Sequence, residues 1–130
     1  MENQGLGWNV SFSAAAGSSN VCNVTLTVKD NDGKVVAKPV LLLVWLSDAA
    51  TGIGLTGTSA SGTVTAKNGY GQDMGAITAK KCLFAQTLAD GTFVLEITDT
   101  AKTHFYVCAA FLADKGRVAV SDPLTTANYG

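Results

Sequence analysis

The chain has 130 residues, of which 47% are apolar and 15% are charged, and its formal net charge is −1. This length predicts a single domain with a sizeable core, and this composition excludes intrinsic disorder. Nine basic against ten acidic residues leave no basic field for a nucleic-acid backbone or an anionic membrane, so we expect neither partner. The low charge instead favours contact between part of the surface and another protein.

No segment is long enough for a transmembrane helix, because the longest apolar run covers only residues 40–46 and such a helix needs roughly 20. The first ten residues also lack the basic start and apolar stretch of a signal peptide, which predicts a chain made and kept in a cytoplasm. The three cysteines, Cys22, Cys82 and Cys108, are odd in number and widely spaced. This pattern predicts free thiols, with no disulfide framework and no metal site.

The first half of the chain shows the period of two that is typical of half-buried strands. Over residues 21–29 the apolar side chains alternate with polar ones, which predicts a strand with one face in the core. Residues 30–33, Asp-Asn-Asp-Gly, predict a tight turn. The unbroken run 40–46 follows Pro39, and it predicts a central strand that is either buried on both faces or part of an interface.

The next part of the chain is rich in Gly, Ser and Thr. Residues 49–62 read as a connection, and residues 63–66 as a short strand. Residues 76–86 are ambiguous between a strand and one helical turn. Asp90 and Gly91 predict a hairpin, after which the apolar side chains again share one face: Phe93, Leu95 and Ile97.

The C-terminal part adds one long apolar strand at 105–112, a turn at Lys115-Gly116, a strand at 117–121 and an edge segment at 124–129. About eight short strands with regular turns predict an all-β fold, an immunoglobulin-like β-sandwich of about seven to nine strands. We expect one domain over residues 1–130. Within it, residues 1–19 would form an N-terminal arm or strand, and residues 122–130 a C-terminal edge segment.

Two motifs resemble ligand sites but have simpler explanations. Residues 52–57 match GxGxxG, and Asp73 lies roughly 20 residues further on, but the following Thr- and Ser-rich stretch is a poor helix start. We therefore predict a glycine-rich loop and no nucleotide cofactor. Asp30 and Asp32 resemble the start of an EF-hand loop whose remaining ligands are absent. A hairpin turn explains them, and the alternative is a weak Ca²⁺ site completed by Asp48 or Asp90.

Catalytic chemistry lacks its usual components. His104 is the only histidine, and strand geometry would place Cys108 about 13 Å from it. The only glutamates are Glu2 and Glu96, so a carboxylate pair would need aspartates from turns. We predict no catalytic residues and no enzyme. A small hydrolase that depends on His104 is the weakest of three functional hypotheses.

Three aromatic residues near the ends of the chain are the interface candidates: Trp8, Phe12 and Tyr129. Terminal segments usually fray unless they are held, and aromatic side chains are favoured at subunit contacts. The alternative is that these rings cap the open ends of the sandwich.

Tyr106-Val107-Cys108 resembles the strand around the second cysteine of antibody domains, and Trp45 lies between Cys22 and Cys108, as the buried tryptophan does there. That resemblance implies a Cys22–Cys108 disulfide. A buried free thiol at Cys22 is the simpler account in a chain that is not exported.

Residues 24–36 and 88–95 resemble bacterial immunoglobulin-like domains of the invasin and intimin type, in which a D-x-x-G turn follows one strand and a D-G turn precedes another. Residues 44–52, 97–103 and 126–130 resemble segments of small virion proteins of tailed phages. The second resemblance implies a structural protein of a bacteriophage virion.

Together these features predict a capsid decoration, or cement, protein, made in the host cytoplasm and placed on the capsid surface. Its expected partners are the major capsid protein and copies of itself, with a trimer favoured at lattice three-fold positions. The alternative is an immunoglobulin-like module of a phage tail or fibre that binds a host-surface glycan or protein through its loops.

Overall fold

The computed structural model describes residues 7–112 and 118–130 of the chain. This part of the chain forms nine β-strands and one short 3-10 helix. The strands are β1 (Asn9–Ala16), β2 (Val21–Lys29), β3 (Leu41–Ser47), β4 (Val64–Ala66), β5 (Gln72–Thr78), β6 (Cys82–Gln86), β7 (Thr92–Thr98), β8 (Tyr106–Phe111) and β9 (Ala119–Val120).

The strands form two antiparallel sheets. The order in the four-stranded sheet is β1-β2-β7-β4, and the order in the five-stranded sheet is β5-β6-β3-β8-β9. The predicted all-β sandwich is therefore confirmed. If the β5–β6 hairpin is set aside, the other seven strands have the arrangement of a constant-type immunoglobulin domain, with strands one, two, five and four in one sheet and three, six and seven in the other. The hairpin is an insertion that extends the second sheet next to β3.

The core lies between the inner faces of the sheets, where the predicted alternation places its apolar side chains. Fully buried side chains of β2 and β7 meet those of β3 and β8. Each contributes about 1.5–3 kcal/mol of burial free energy. The main contributors are Cys22, Val24, Leu26, Val28, Leu42, Val44, Leu46, Phe93, Leu95, Ile97 and Val107.

Two local predictions are wrong. The turn at Asp90 and Gly91 forms, with the Gly91 N–H donating to the Leu88 carbonyl, but β6 and β7 belong to different sheets, so the turn is not a hairpin. Turn chemistry is local and does not determine which sheet receives the next strand. Residues 124–129 contain a 3-10 helix, Thr126–Asn128, in place of an edge strand. The Asn128 side chain accepts from the Thr125 N–H at 2.7 Å and fixes this turn.

The segment 76–86, which the sequence left ambiguous, belongs to the β5–β6 hairpin. The register of this hairpin shifts between Asp73 and Gly75 and again between Ala76 and Thr78. Within the predicted N-terminal arm, the described residues include the edge strand β1, which pairs with β2 over its whole length. Residues 1–6 of the arm lie outside the described residues. The predicted turn at Lys115-Gly116 lies outside the described residues.

Candidate functional site

The outer face of the five-stranded sheet is apolar over three rows of paired residues. Trp45 lies between Cys82 and Cys108, and Leu43 lies between Phe84 and Ala110. Leu41 pairs with Gln86 and accepts a hydrogen bond from the Leu112 N–H. We call the apolar members the outer apolar face: Leu41, Leu43, Trp45, Cys82, Phe84, Cys108, Ala110 and Leu112.

This face is partly open to water. Leu41 is 42% exposed, Phe84 37% and Leu112 46%, while Leu43 and Trp45 are half-buried. The prediction of a central strand at 40–46 is confirmed, since β3 is the middle strand of its sheet. Burial on both faces is not what the structure shows, because the inner residues of β3 are buried and the outer ones are not. The interface alternative stays a prediction.

The segment 48–57 lies over the end of the outer apolar face that contains Trp45, and we call this segment the ridge. The Trp45 Nε1–H donates to the Gly52 carbonyl at 2.9 Å. A Cβ on Gly52 would lie 2.9 Å from Val120 Cγ2 and 3.3 Å from Cys108 Sγ, so the backbone here touches the sheet. The ridge therefore covers the sheet near Cys108 and leaves the rows of Leu41 and Leu43 uncovered.

Polar contacts hold the ridge in one shape. The Asp48 carboxylate accepts from the Thr56 hydroxyl at 2.6 Å and from the Gly57 N–H at 3.0 Å. The Gly57 and Thr56 hydrogen bonds, helped by the charge of Lys81, lower the pKa of Asp48 against a small opposing effect of burial. Buried Ser47 donates to the Ile53 carbonyl. These contacts make the ridge a fixed feature of the surface.

The ridge adds apolar side chains to the same surface. Ile53 is 79% exposed and Leu55 is 43% exposed. Leu55 also lines a shallow recess of about 260 Å³ together with Leu43, Trp45 and Cys82. The apolar surface thus has two halves. In one half the ridge lies on top of the sheet, and in the other half the sheet itself is open, at Leu41, Leu43, Phe84 and Leu112. In the sequence, the apolar run 40–46 indicated the β3 residues of this surface. The β6 residues that pair with them lie in the segment 76–86, whose structure the sequence left ambiguous.

The three predicted interface aromatics lie elsewhere. The ring of Trp8 packs edge-on against Phe111 with ring centroids 6.0 Å apart, and Lys38 Nζ lies 5.2 Å from its centroid. Phe12 is half-buried on the inner side of β1 and lines a groove with Leu124. These two rings pack against the core of their own domain. Their role in an interface stays a prediction.

Tyr129 is buried inside the domain, with 4% of its surface exposed. Its hydroxyl donates to the Thr103 carbonyl at 2.5 Å. Burial raises the pKa of this phenol, and the neighbouring Cys22 and Asp99 act in the same direction. In this position the ring holds the C-terminal segment to the domain, which is the capping alternative of the sequence analysis.

All three cysteines are free, as predicted, and all three are buried, as predicted for Cys22 alone. Cys22 faces the core from β2, whereas Cys108 lies on the outer side of β8, opposite Trp45. The two thiols are on opposite sides of the five-stranded sheet and cannot form the disulfide that the antibody resemblance implied. Trp45 correspondingly lies on the outer face, not in the core. Burial raises the pKa of Cys22 to about 11 and that of Cys108 to about 12.

The titratable groups singled out in the sequence serve local structure. Asp30 Oδ1 accepts from the N–H groups of Asp32 and Lys34, and Asp90 Oδ1 from the N–H and hydroxyl of Thr92. His104 is exposed, with Nε2 3.3 Å from Thr126 Oγ1. Within residues 7–112 and 118–130, no group of three or more His, Cys, Asp or Glu side chains is placed to hold a metal ion.

The GxGxxG motif at residues 52–57 is part of the ridge, and the next regular element after it is the strand β4, not a helix. The glycine-rich loop that the sequence predicted is therefore confirmed. Over the described ranges of the chain, no helix has the length and apolar character needed to cross a membrane. No protein-family model, curated protein or solved structure matches the chain.

Proposed function

We propose that this chain is a structural protein of a tailed-phage virion that decorates the capsid. It would bind the mature capsid lattice through surface contact, with the major capsid protein as its partner, and it would act without a reactive centre. The observation that carries the proposal is the outer apolar face with its fixed ridge. Large open apolar patches on a folded domain usually mark sites where another protein binds.

The composition and the sequence resemblance support the same role. The side chains of the three rows are uncharged, and low charge with an apolar centre is typical of the buried part of protein–protein contacts. The segments 44–52, 97–103 and 126–130 resemble small virion proteins of tailed phages. Part of the first segment lies in β3 and the ridge, so the resemblance includes the candidate site.

The mechanism of stabilisation is mass action. A domain that binds only the mature lattice adds its binding free energy to the stability of that state. The rigid ridge lowers the entropic cost of docking, because its shape exists before the contact forms. Many copies on one lattice, joined to one another, strengthen a weak single contact through avidity.

The test uses purified protein and capsids that lack it. Decoration predicts co-sedimentation of the protein with mature capsids and a rise in the capsid melting temperature, with immature capsids as the control. Absence of both effects would overturn the proposal. Copy number separates the alternative, since hundreds of copies in a purified virion indicate the capsid, whereas a few tens or fewer indicate a tail or fibre module.

A further inference from the structure

We propose that the outer apolar face and the ridge join two copies of this chain about a two-fold axis. The pairing rests on the proposed function in one respect, since it takes this face to be a permanent contact surface. It goes further by naming the occupant, which is a second copy of the same chain, so the capsid would be bound by the remaining surface of the pair. The two-fold pair replaces the trimer that the sequence analysis favoured. Three properties of the surface support this assignment: its area, its charge and its shape.

The area is large for one domain and sufficient for a pair. The outer apolar face and the ridge together expose roughly 500 Å² of apolar surface, at the upper end of what a monomeric domain leaves in one patch. A face-to-face pair would cover roughly 1,000 Å² of apolar surface in total, and polar neighbours such as Gln86 and Thr78 add to it. That total reaches the lower bound of about 1,000 Å² for a specific contact between proteins.

The charge of the surface permits contact between identical copies. A two-fold contact brings the same patch of each copy together, so any net charge at its centre would face its own like charge. The paired rows contain only uncharged side chains, and the burial-raised pKa of Cys108 keeps its thiol neutral. The Asp48 carboxylate stays charged, but it binds Thr56 and Gly57 within the ridge and is not part of the paired rows. A second copy therefore meets no repulsion at the centre of the surface.

The shape of the surface is complementary to itself. The ridge lies toward the C-terminal end of β3, next to Trp45, and the open rows lie toward its N-terminal end, at Leu41. The rows run across the strands of the sheet. A two-fold axis parallel to the rows therefore makes β3 of the second copy run opposite to β3 of the first. The ridge of each copy then lies over the open rows of the other, so that Ile53 of one copy approaches Leu41 and Leu112 of the other.

Sedimentation velocity over a concentration series tests the pairing with matched variants. Wild type is expected to form a dimer. Leu41→Lys and Ile53→Lys each place a charge in the contact and should weaken the dimer at least about tenfold. Val35→Lys is the control, because Val35 is equally exposed at 48% but follows β2 at the other sheet. Circular dichroism checks that each variant remains folded.

A cross-linking experiment tests the two-fold geometry. A short bis-maleimide should link Ile53→Cys protein to Leu41→Cys protein in a mixture. It should link Leu41→Cys protein to itself much less, since the two Leu41 residues lie at opposite ends of the contact. Wild type supplies the background from the native cysteines. Equal linking of Leu41→Cys with itself would overturn the proposed axis.

The outcomes separate this inference from the proposed function. A dimer that Leu41→Lys disrupts and Val35→Lys does not supports the pairing, whether or not the protein binds capsids. A wild type that stays monomeric or forms a trimer overturns the pairing. If that monomer binds capsids and Leu41→Lys abolishes the binding, the outer apolar face is the capsid contact, and the proposed function stands without the pairing.

Discussion

The indole N–H of Trp45 donates a hydrogen bond to the carbonyl oxygen of Gly52, with 2.9 Å between the nitrogen and the oxygen. Trp45 belongs to the central strand of the five-stranded sheet, and Gly52 is seven residues further along, in the ridge. This bond joins the ridge to the sheet on which it lies. The tryptophan that the antibody resemblance assigned to the core thus serves the outer surface.

We predict that Gly52→Ala destabilises the protein more than Gly54→Ala. Both glycines have a positive φ, +77° and +80°, so alanine at either position costs about 1–2 kcal/mol in backbone strain. A Cβ at Gly54 meets nothing within 4 Å, whereas at Gly52 it lies 2.9 Å from Val120. The extra crowding should add about 1–3 kcal/mol. Urea denaturation of the two variants measures the difference, and equal losses of stability would show that the ridge is not seated tightly on the sheet.

We predict that Asp99 makes stability depend on pH. Asp99 is 1% exposed, and it accepts from the N–H groups of Ser61, Ala101 and Thr103. Burial acts to raise the pKa of Asp99, but hydrogen bonds from the Thr103 side chain and these N–H groups outweigh it, so the pKa lies below its ordinary value. The unfolded chain, with an aspartate pKa of about 3.9, therefore takes up protons first as the pH falls. The stability that the carboxylate contributes is present above that pH and is lost below it.

The variant that checks this is Asp99→Asn. It should lower the free energy of unfolding by about 1–3 kcal/mol at neutral pH, because the amide cannot accept all of these bonds. The difference from wild type should shrink below about pH 4, where wild type loses the carboxylate contribution. Asp32→Asn is the control, because Asp32 is an exposed turn residue, and we expect little change in the free energy of unfolding. A constant difference between pH 7 and pH 3 would contradict the role of the carboxylate.

We predict slow thiol modification in the folded protein. Cys22 and Cys108 are fully buried, Cys82 is 7% exposed, and burial raises the pKa of all three thiols. Few thiolates exist near neutral pH, and the thiolate is the reactive form. Mass spectrometry after brief alkylation should show Cys82 labelled first, and rapid labelling of all three in denaturant. Mild oxidation that produced a Cys22–Cys108 disulfide in folded protein would contradict the placement of these residues.

The half-buried strands could be predicted because their burial repeats in the sequence. In β2 every second residue is apolar, and the structure buries those same residues, from Cys22 to Val28. The turn at residues 30–33 could be predicted as well, because the Asp30 side chain within the turn accepts the hydrogen bonds that fix it. The placement of β6 and β7 in different sheets was not local. The chain crosses to the other sheet at Asp90, and only the packing of distant strands determines that crossing.

The candidate site was harder to foresee than the core. Outer and inner residues of β3 are both apolar, so the run 40–46 conceals which of them face outward. Phe84 lay in the segment 76–86, which was ambiguous because it contains two lysines and several alanines. The register shift next to Ile77 adds an irregularity that the sequence does not reveal. For Tyr129 the sequence left an interface and a cap on the sandwich both open, because a residue type near a terminus does not reveal which way its side chain points; the structure buries this ring.

The register shifts in β5 also limit how copies of the chain can grow into larger arrays. β5 is a seven-residue edge strand that is exposed along its whole length, and such edges invite another strand to pair with them. Bulges twist an edge away from the straight form that an incoming strand needs, and the φ of +124° at Gly75 marks this distortion. Sideways extension into ribbons or fibrils is thereby discouraged. The proposed two-fold contact through a sheet face would instead close at two molecules.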